Sequence, residues 1–136
     1  MRRLTQYLPH TITQMYKPEH KAIDLRNYEN YLVFTPENII IIYNSIQDGL
    51  DKYGNHYIVA KGQESNYYLY FVHTLPAVTI HNNVKITMNE IIGRTDTSTG
   101  NARGAHLHFA VRNLEWQPIN PLEYLHLFNI EYTVKQ

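Results

Sequence analysis

Two histidines, His106 and His108, flank Leu107 in the last third of the chain. On a strand, residues two apart share a face, so both imidazoles project together while Leu107 faces the other side. Such a pair suits zinc, cobalt, nickel or copper. It equally suits one metal ligand beside one acid/base group, or a surface pair with no task. His20 and Asp24 stand four apart in His20-Lys21-Ala22-Ile23-Asp24, a spacing that shares a face in extended or helical chain. One imidazole and one carboxylate are donors that a catalytic zinc site uses, although solvated His and Asp at this spacing are common. His73 follows the apolar run Tyr67 to Val72. A lone histidine at a strand end is more often structural than catalytic. Together these four histidines and one aspartate suffice for three metal ligands and two acid/base groups.

What is missing narrows the chemistry. The chain has no cysteine, so disulfides, thiolate metal sites and a cysteine nucleophile are excluded, and any metal must be held by nitrogen and oxygen. No His-Glu-x-x-His arrangement occurs, which rules out the helical zinc-protease mechanism. His10, His56, His81 and His126 have no partner at ligand spacing and read as structural or surface residues. Trp116, in Leu114-Glu115-Trp116-Gln117-Pro118, reads as a packing residue rather than a ligand platform.

The elements that must position these residues are short strands. Tyr31–Phe34, Ile39–Tyr43, Tyr57–Ala60, Tyr67–Val72, Val84–Ile86 and Glu90–Ile92 are β-branched or aromatic runs separated by turn signals. Ile39–Tyr43 is too short for a membrane helix and predicts a buried strand. Arg94 to Ala105 lacks an apolar period and predicts a loop. His106–Arg112 alternates cleanly and predicts a strand. Pro121–Leu127 alone predicts a helix, with proline in its first turn. Many short strands with turns between them predict an all-β sandwich or barrel, with at most a short C-terminal helix.

At 136 residues, residues 1–136 read as a single domain, with no linker, repeat or low-complexity segment. Twelve basic and twelve acidic side chains balance to zero net charge, which argues against nucleic acid as a partner. No stretch approaches the ~20 apolar residues of a membrane span. Arg2 and Arg3 are not followed by the apolar run of a signal peptide, so none is expected. Twelve tyrosines suit both β-strands and a groove for a polar polymer.

In order and local sequence the chain resembles the lysostaphin or LytM-type zinc endopeptidases. The hallmarks of that family are a His-x-x-x-Asp segment, a later lone His and a terminal His-x-His. Here they stand as His20…Asp24, His73 and His106-Leu107-His108. Tyr53-Gly54-Asn55, Ile91-Ile92-Gly93 and Thr99 to Phe109 match supporting stretches, and the likeness runs from about Pro18 to about Tyr124. Departures are Lys21 after the first ligand, Phe71 before the lone histidine, and Asn82, Asn83 and Asn89 at turn positions where glycine is usual. Asparagine tolerates left-handed backbone, so these turns can survive.

The resemblance implies a mainly antiparallel fold of the barrel-sandwich, or duplicated hybrid motif, type. It implies one Zn2+ per chain held by His20, Asp24 and His108, with His73 and His106 as catalytic histidines. It also implies a peptidoglycan peptide as substrate. The loops Tyr43–Gly54, Gly62–Asn66 and Arg94–Ala105 are the expected groove walls. A bacteriophage lysin, released at lysis or carried in a virion among other virion proteins, is the expected delivery route. The contrasting expectation is a silent wall-binding or virion structural module of the same fold.

Overall fold

Period-two alternation governs how the strands fold. The computed structural model describes residues 1–135. In chain order its elements are β1 (Thr11–Gln14), β2 (Ile23–Arg26), β3 (Leu32–Phe34), β4 (Ile39–Asn44), α1 (Ser45–Asp48), β5 (Tyr57–Gly62) and β6 (Tyr68–Val72). They continue with β7 (Thr74–Pro76), β8 (Lys85–Ile86), β9 (Ile91–Thr95), β10 (His106–Arg112), β11 (Pro118–Ile119), α2 (Pro121–Leu127) and β12 (Thr133–Val134).

A nine-stranded sheet runs β12-β1-β2-β10-β6-β5-β4-β8, with β11 paired to β10, and a three-stranded sheet runs β3-β9-β7. All pairings are antiparallel except β1 with β12. The fold is therefore the mainly antiparallel all-β type that the strand pattern predicts.

β10 shows why. Leu107, Phe109 and Val111 are fully buried, while His106, His108, Ala110 and Arg112 between them are half-buried. Its neighbour β6 repeats the pattern, burying Leu69 and Phe71 and leaving Tyr68, Tyr70 and Val72 on the other face. The buried face joins Ile23 and Leu25 of β2, Ile58 and Ala60 of β5, and Val33 and Ile92 of the small sheet in one core. Tyr124 and Leu125 of α2 close it. The opposite face of the large sheet is left free for polar and aromatic side chains.

The structure differs from the sequence expectation in several details, among them that β1, β2, β7, β11 and β12 fall outside the expected strand runs. The Ile39–Tyr43 run alternates rather than being buried throughout: Ile39 and Ile41 face the core, Ile40 and Ile42 are half-buried, and Tyr43 is exposed. Arg94 and Thr95 belong to β9 rather than to the loop that follows, because they pair with Leu75 and Thr74 of β7. A single helical turn, α1, was not expected. Asn44 caps it by accepting from the backbone of Ile46 and Gln47, a local device too short to carry a helical period. Of the three turn asparagines, Asn83 and Asn89 adopt left-handed backbone, whereas Asn82 hydrogen-bonds through its side chain to Asn44 and Asp48. The C-terminal helix has the expected bounds, with Pro121 in its first turn and Asn120 accepting from Leu122 N.

Candidate metal centre

The register of β2 against β10 sets Asp24 directly opposite His108, and Arg26 opposite His106. Opposed residues share a face, so Asp24 and both histidines of the His-x-His segment meet on the free face of the large sheet. His20 lies just before β2. There Lys17 and His20 exchange backbone hydrogen bonds of 3.0 and 2.9 Å around Pro18-Glu19, a tight turn with proline where its fixed φ favours one. That turn folds His20 back over Asp24.

Asp24 is buried, 8% exposed, and its Oδ1 faces three imidazoles: His108 Nδ1 at 2.9 Å, His20 Nε2 at 3.4 Å and His106 Nε2 at 3.7 Å. Burial pushes the Asp24 carboxyl up, but the hydrogen bond from His108 and the charges of His106, His108 and His20 outweigh it, leaving it below the ordinary carboxylate range. One donor atom from each of His20, Asp24 and His108 lies within 4.8 Å of the others. Two imidazoles and a carboxylate are the donor chemistry of a catalytic zinc site, so these residues fit such an ion.

Backbone carbonyls fix the histidine tautomers. His20 Nδ1 lies 3.1 Å from Met15 O, and His106 Nδ1 lies 2.9 Å from Gly104 O. A carbonyl only accepts, so each Nδ1 carries a proton, and in the neutral form of each ring Nε2 is the acceptor nitrogen on the side of Asp24. Orienting a ligand through its second nitrogen is how metal-binding histidines are usually held.

His73 reaches the cluster from the corner where the chain leaves the large sheet for the small one. Its φ is 60°, rare for a residue with a side chain. The strain is held by His73 N donating to His56 O and Asp96 N donating to His73 O, both at 2.9 Å. His56 is in turn held by Ser45 at the start of α1, 2.8 Å from its ring. The His73 ring lies 4.7 Å from that of His106. Burial, then the charges of His106 and His108, lower its pKa to about 4, so it is neutral near pH 7. Its Nδ1 is buried without a hydrogen-bond partner among the described residues.

A cleft of about 560 Å³ opens over this cluster. Asp51, Tyr53 and Asn55 form one wall, and Asn101, Ala102 and Arg103 another. The two walls are locked together. Asn55 Nδ2 donates to Asn101 Oδ1 at 3.0 Å, and Asn101 N donates to Asn55 Oδ1 at 3.2 Å. Gly100, at φ 86°, sits against Asn55 where a Cβ would overlap the amide. Gly62–Asn66, expected as a third wall, does not line the cleft; it wraps the buried carboxylate of Glu37 instead. Gln14 does line it, placed beside Asp24 by the β1–β2 register. No spacing signal in the sequence marks Gln14, whereas Asn55 lies in the recognised Tyr53-Gly54-Asn55 turn.

Residues 18–121 match peptidase family M23. Lysostaphin from Staphylococcus simulans superposes with a TM-score of 0.72 at 18% identity, covering 89% of this chain and 51% of that one. LytU superposes at 0.69 and 15% identity, covering 90% of this chain and 88% of that one. Helicobacter pylori Csd3 gives 0.70 and 20% identity, covering 91% of this chain but only 32% of that one, so this chain spans about a third of its length. A zinc-containing peptidase from Vibrio cholerae gives 0.69 and 18% identity, with 88% and 39% covered. No curated protein sequence matches the chain. The family match spans well over half of the residues, and the fold agrees with it: the chain belongs to peptidase family M23.

Proposed function

We propose that this chain is a zinc endopeptidase that cuts peptide links in bacterial peptidoglycan, with His20, Asp24 and His108 as metal ligands and His106 and His73 as catalytic histidines. The observation that carries the reading is the convergence of three nitrogen and oxygen donors at the floor of an open cleft. The resemblance to lysostaphin-type enzymes supplies the substrate class.

When bound, zinc supplies Lewis acidity towards a carbonyl and acidifies water. The remaining steps fall to the side chains. His106 lines the cleft beside Asp24, and because Gly104 O holds a proton on Nδ1, Nε2 is the acceptor nitrogen of its neutral form. It is therefore placed to take a proton from attacking water and return it to the leaving amine. His73 is kept neutral by burial and stands beside His106. A neutral imidazole donates one hydrogen bond, and His73 is the donor we assign to the oxygen on which negative charge develops. Asp24 stays ionised and holds the imidazoles around it. The delivery route, phage lysis or carriage in a virion, is proposed alongside and rests on the sequence alone.

Mass spectrometry of peptides released from purified peptidoglycans of different cross-bridge type tests the reading. Release is expected with zinc, and is expected to stop with chelator and in His106→Ala; the new termini name the bond. No release from any wall by a folded, zinc-loaded protein would favour a silent wall-binding module.

A further inference from the structure

The free face of the large sheet continues past the metal cluster. Along β10 it carries His108, Ala110 and Arg112, and along β6 the residues opposite them are Val72, Tyr70 and Tyr68. At the far end Trp116 lies flat on Tyr68, with ring centroids 3.9 Å apart and planes 12° from parallel. One indole face is covered by tyrosine, yet Trp116 remains 43% exposed.

Packing alone does not account for this arrangement. Trp116 has φ 63°, a left-handed backbone that is strained for a bulky residue. The turn is over-determined to hold it. Trp116 N donates to Asn113 O, and Asn113 Oδ1 accepts from the backbone of Glu115 and Gln117. Arg112 Nη1 donates to Trp116 O at 2.6 Å, using one of the five donors of a guanidinium. The result is a rigid, exposed aromatic plane with a polar donor at its edge.

Its distance from the chemistry is set by the strand. His108 to Arg112 is four residues, about 13 Å at ~3.3 Å each, which an extended peptide of about four residues also spans. Ala110 of β10 and Tyr70 opposite it on β6 form the floor between them. A peptide running along the sheet from the metal would thus deliver its far end to Trp116. In peptidoglycan, that end of a short stem peptide is joined to an N-acetylated sugar. Pyranose rings present C–H faces that stack on aromatic planes, while their acetamido groups seek donors such as Arg112. The balanced charge of the chain does not suit a nucleic acid at this plane.

We propose that Trp116, Tyr68 and Arg112 form a saccharide subsite, which holds the glycan sugar bearing the peptide that is cut. This rests on the endopeptidase reading and adds a glycan requirement to it.

Trp116 is the only tryptophan in the chain, so its fluorescence reports the subsite directly. The substrates are a cross-linked disaccharide-peptide dimer, released from walls by a muramidase, and the same peptide dimer stripped of sugar by an amidase. Wild-type protein is expected to show a KM about tenfold lower for the sugar-bearing dimer, equivalent to ~1.4 kcal/mol. Its emission should move with that dimer and not with the stripped one. Trp116→Ala should bring the two KM values within about twofold of each other, and Trp116→Phe should restore part of the difference. Equal KM values in the wild type, a sugar preference that survives Trp116→Ala, or unmoved emission would overturn the subsite while leaving the endopeptidase standing. Cleavage of neither dimer would overturn the endopeptidase, and the emission titration would then decide the subsite by itself.

Discussion

Asp24 and Glu37 are both buried carboxylates, and their surroundings differ in one respect that separates function from structure. Glu37 is fully buried and saturated. It accepts from Glu64 N at 2.9 Å, Ser65 N at 3.0 Å, Ser65 Oγ at 2.7 Å and Tyr124 Oη at 2.6 Å. Gly62 leaves no room for a Cβ beside it. Asp24 has one close partner, His108, and two further imidazoles at longer range, beneath an open cleft. Nearby His73 Nδ1 has no hydrogen-bond partner among the described residues. A buried carboxylate surrounded by donors is a structural tie, whereas one with few direct donors beside an open cleft has coordination to offer a ligand. Asp24 lies on β2 and Glu37 in the turn between β3 and β4, and the two differ further in the donors supplied around each.

The largest expected effect is at the under-satisfied carboxylate. Asp24→Ala should weaken zinc binding beyond the ~10–100-fold that follows loss of a group merely orienting a ligand. Wall cleavage should fall by a factor of about 10³ or more, while metal-free stability changes by about 1–2 kcal/mol, one hydrogen bond's worth. Metal analysis by mass spectrometry, a cleavage assay and chelator-treated melts read the three quantities. Undiminished zinc affinity would break the contrast.

Glu37→Ala reverses the pattern. Four donors lose their acceptor, a loss of about 3–5 kcal/mol, seen as a Tm lower by about 10 °C or more. Zinc content and cleavage per folded molecule, measured well below that Tm, should stay at the wild-type level. A Tm unchanged in Glu37→Ala would show that the cluster is not a tie.

The smallest effect concerns His10, a buried group satisfied in only one charge state. Its Nε2 accepts from Leu4 N at 3.0 Å, which requires neutral imidazole. Burial lowers its pKa, opposed by a hydrogen bond with the Glu131 backbone and assisted by the charge of Arg3. The folded pKa thus lies below the unfolded value of 6.5. As pH falls below that value the unfolded chain takes up the proton first, so the stabilisation present above it is progressively lost. His10→Gln keeps an acceptor without a titration. It should flatten the decline in Tm on acidification in chelator-treated protein, and an unchanged decline would remove His10 from the account.

Strand alternation made part of this legible. His106-Leu107-His108 and Leu107-Phe109-Val111 announce a half-buried strand with both histidines on its free face, and β10 has the expected bounds. Pro121 and Asn120 mark the helix as clearly. Pairings between distant segments were not legible. Glu37 meets Tyr124 across 87 residues, and nothing in Gly62–Asn66 says that it wraps Glu37 rather than the cleft. Gln14 enters the site only through strand register. Trp116 reads as a packing residue because one face does pack; that its other face is open depends on a left-handed turn which Leu114-Glu115-Trp116-Gln117 does not betray.

The central claim is that His20, Asp24 and His108 hold the metal while His106 and His73 stand beside it. Anomalous diffraction at the zinc edge, from crystals of the zinc-loaded protein, tests it most directly. The account predicts one peak at about 2.0–2.2 Å from a donor atom of each of the three ligands, with His106 and His73 beyond bonding distance. A peak bonded to His106 or His73 in place of His20 or Asp24, or no peak over this cluster, would contradict it.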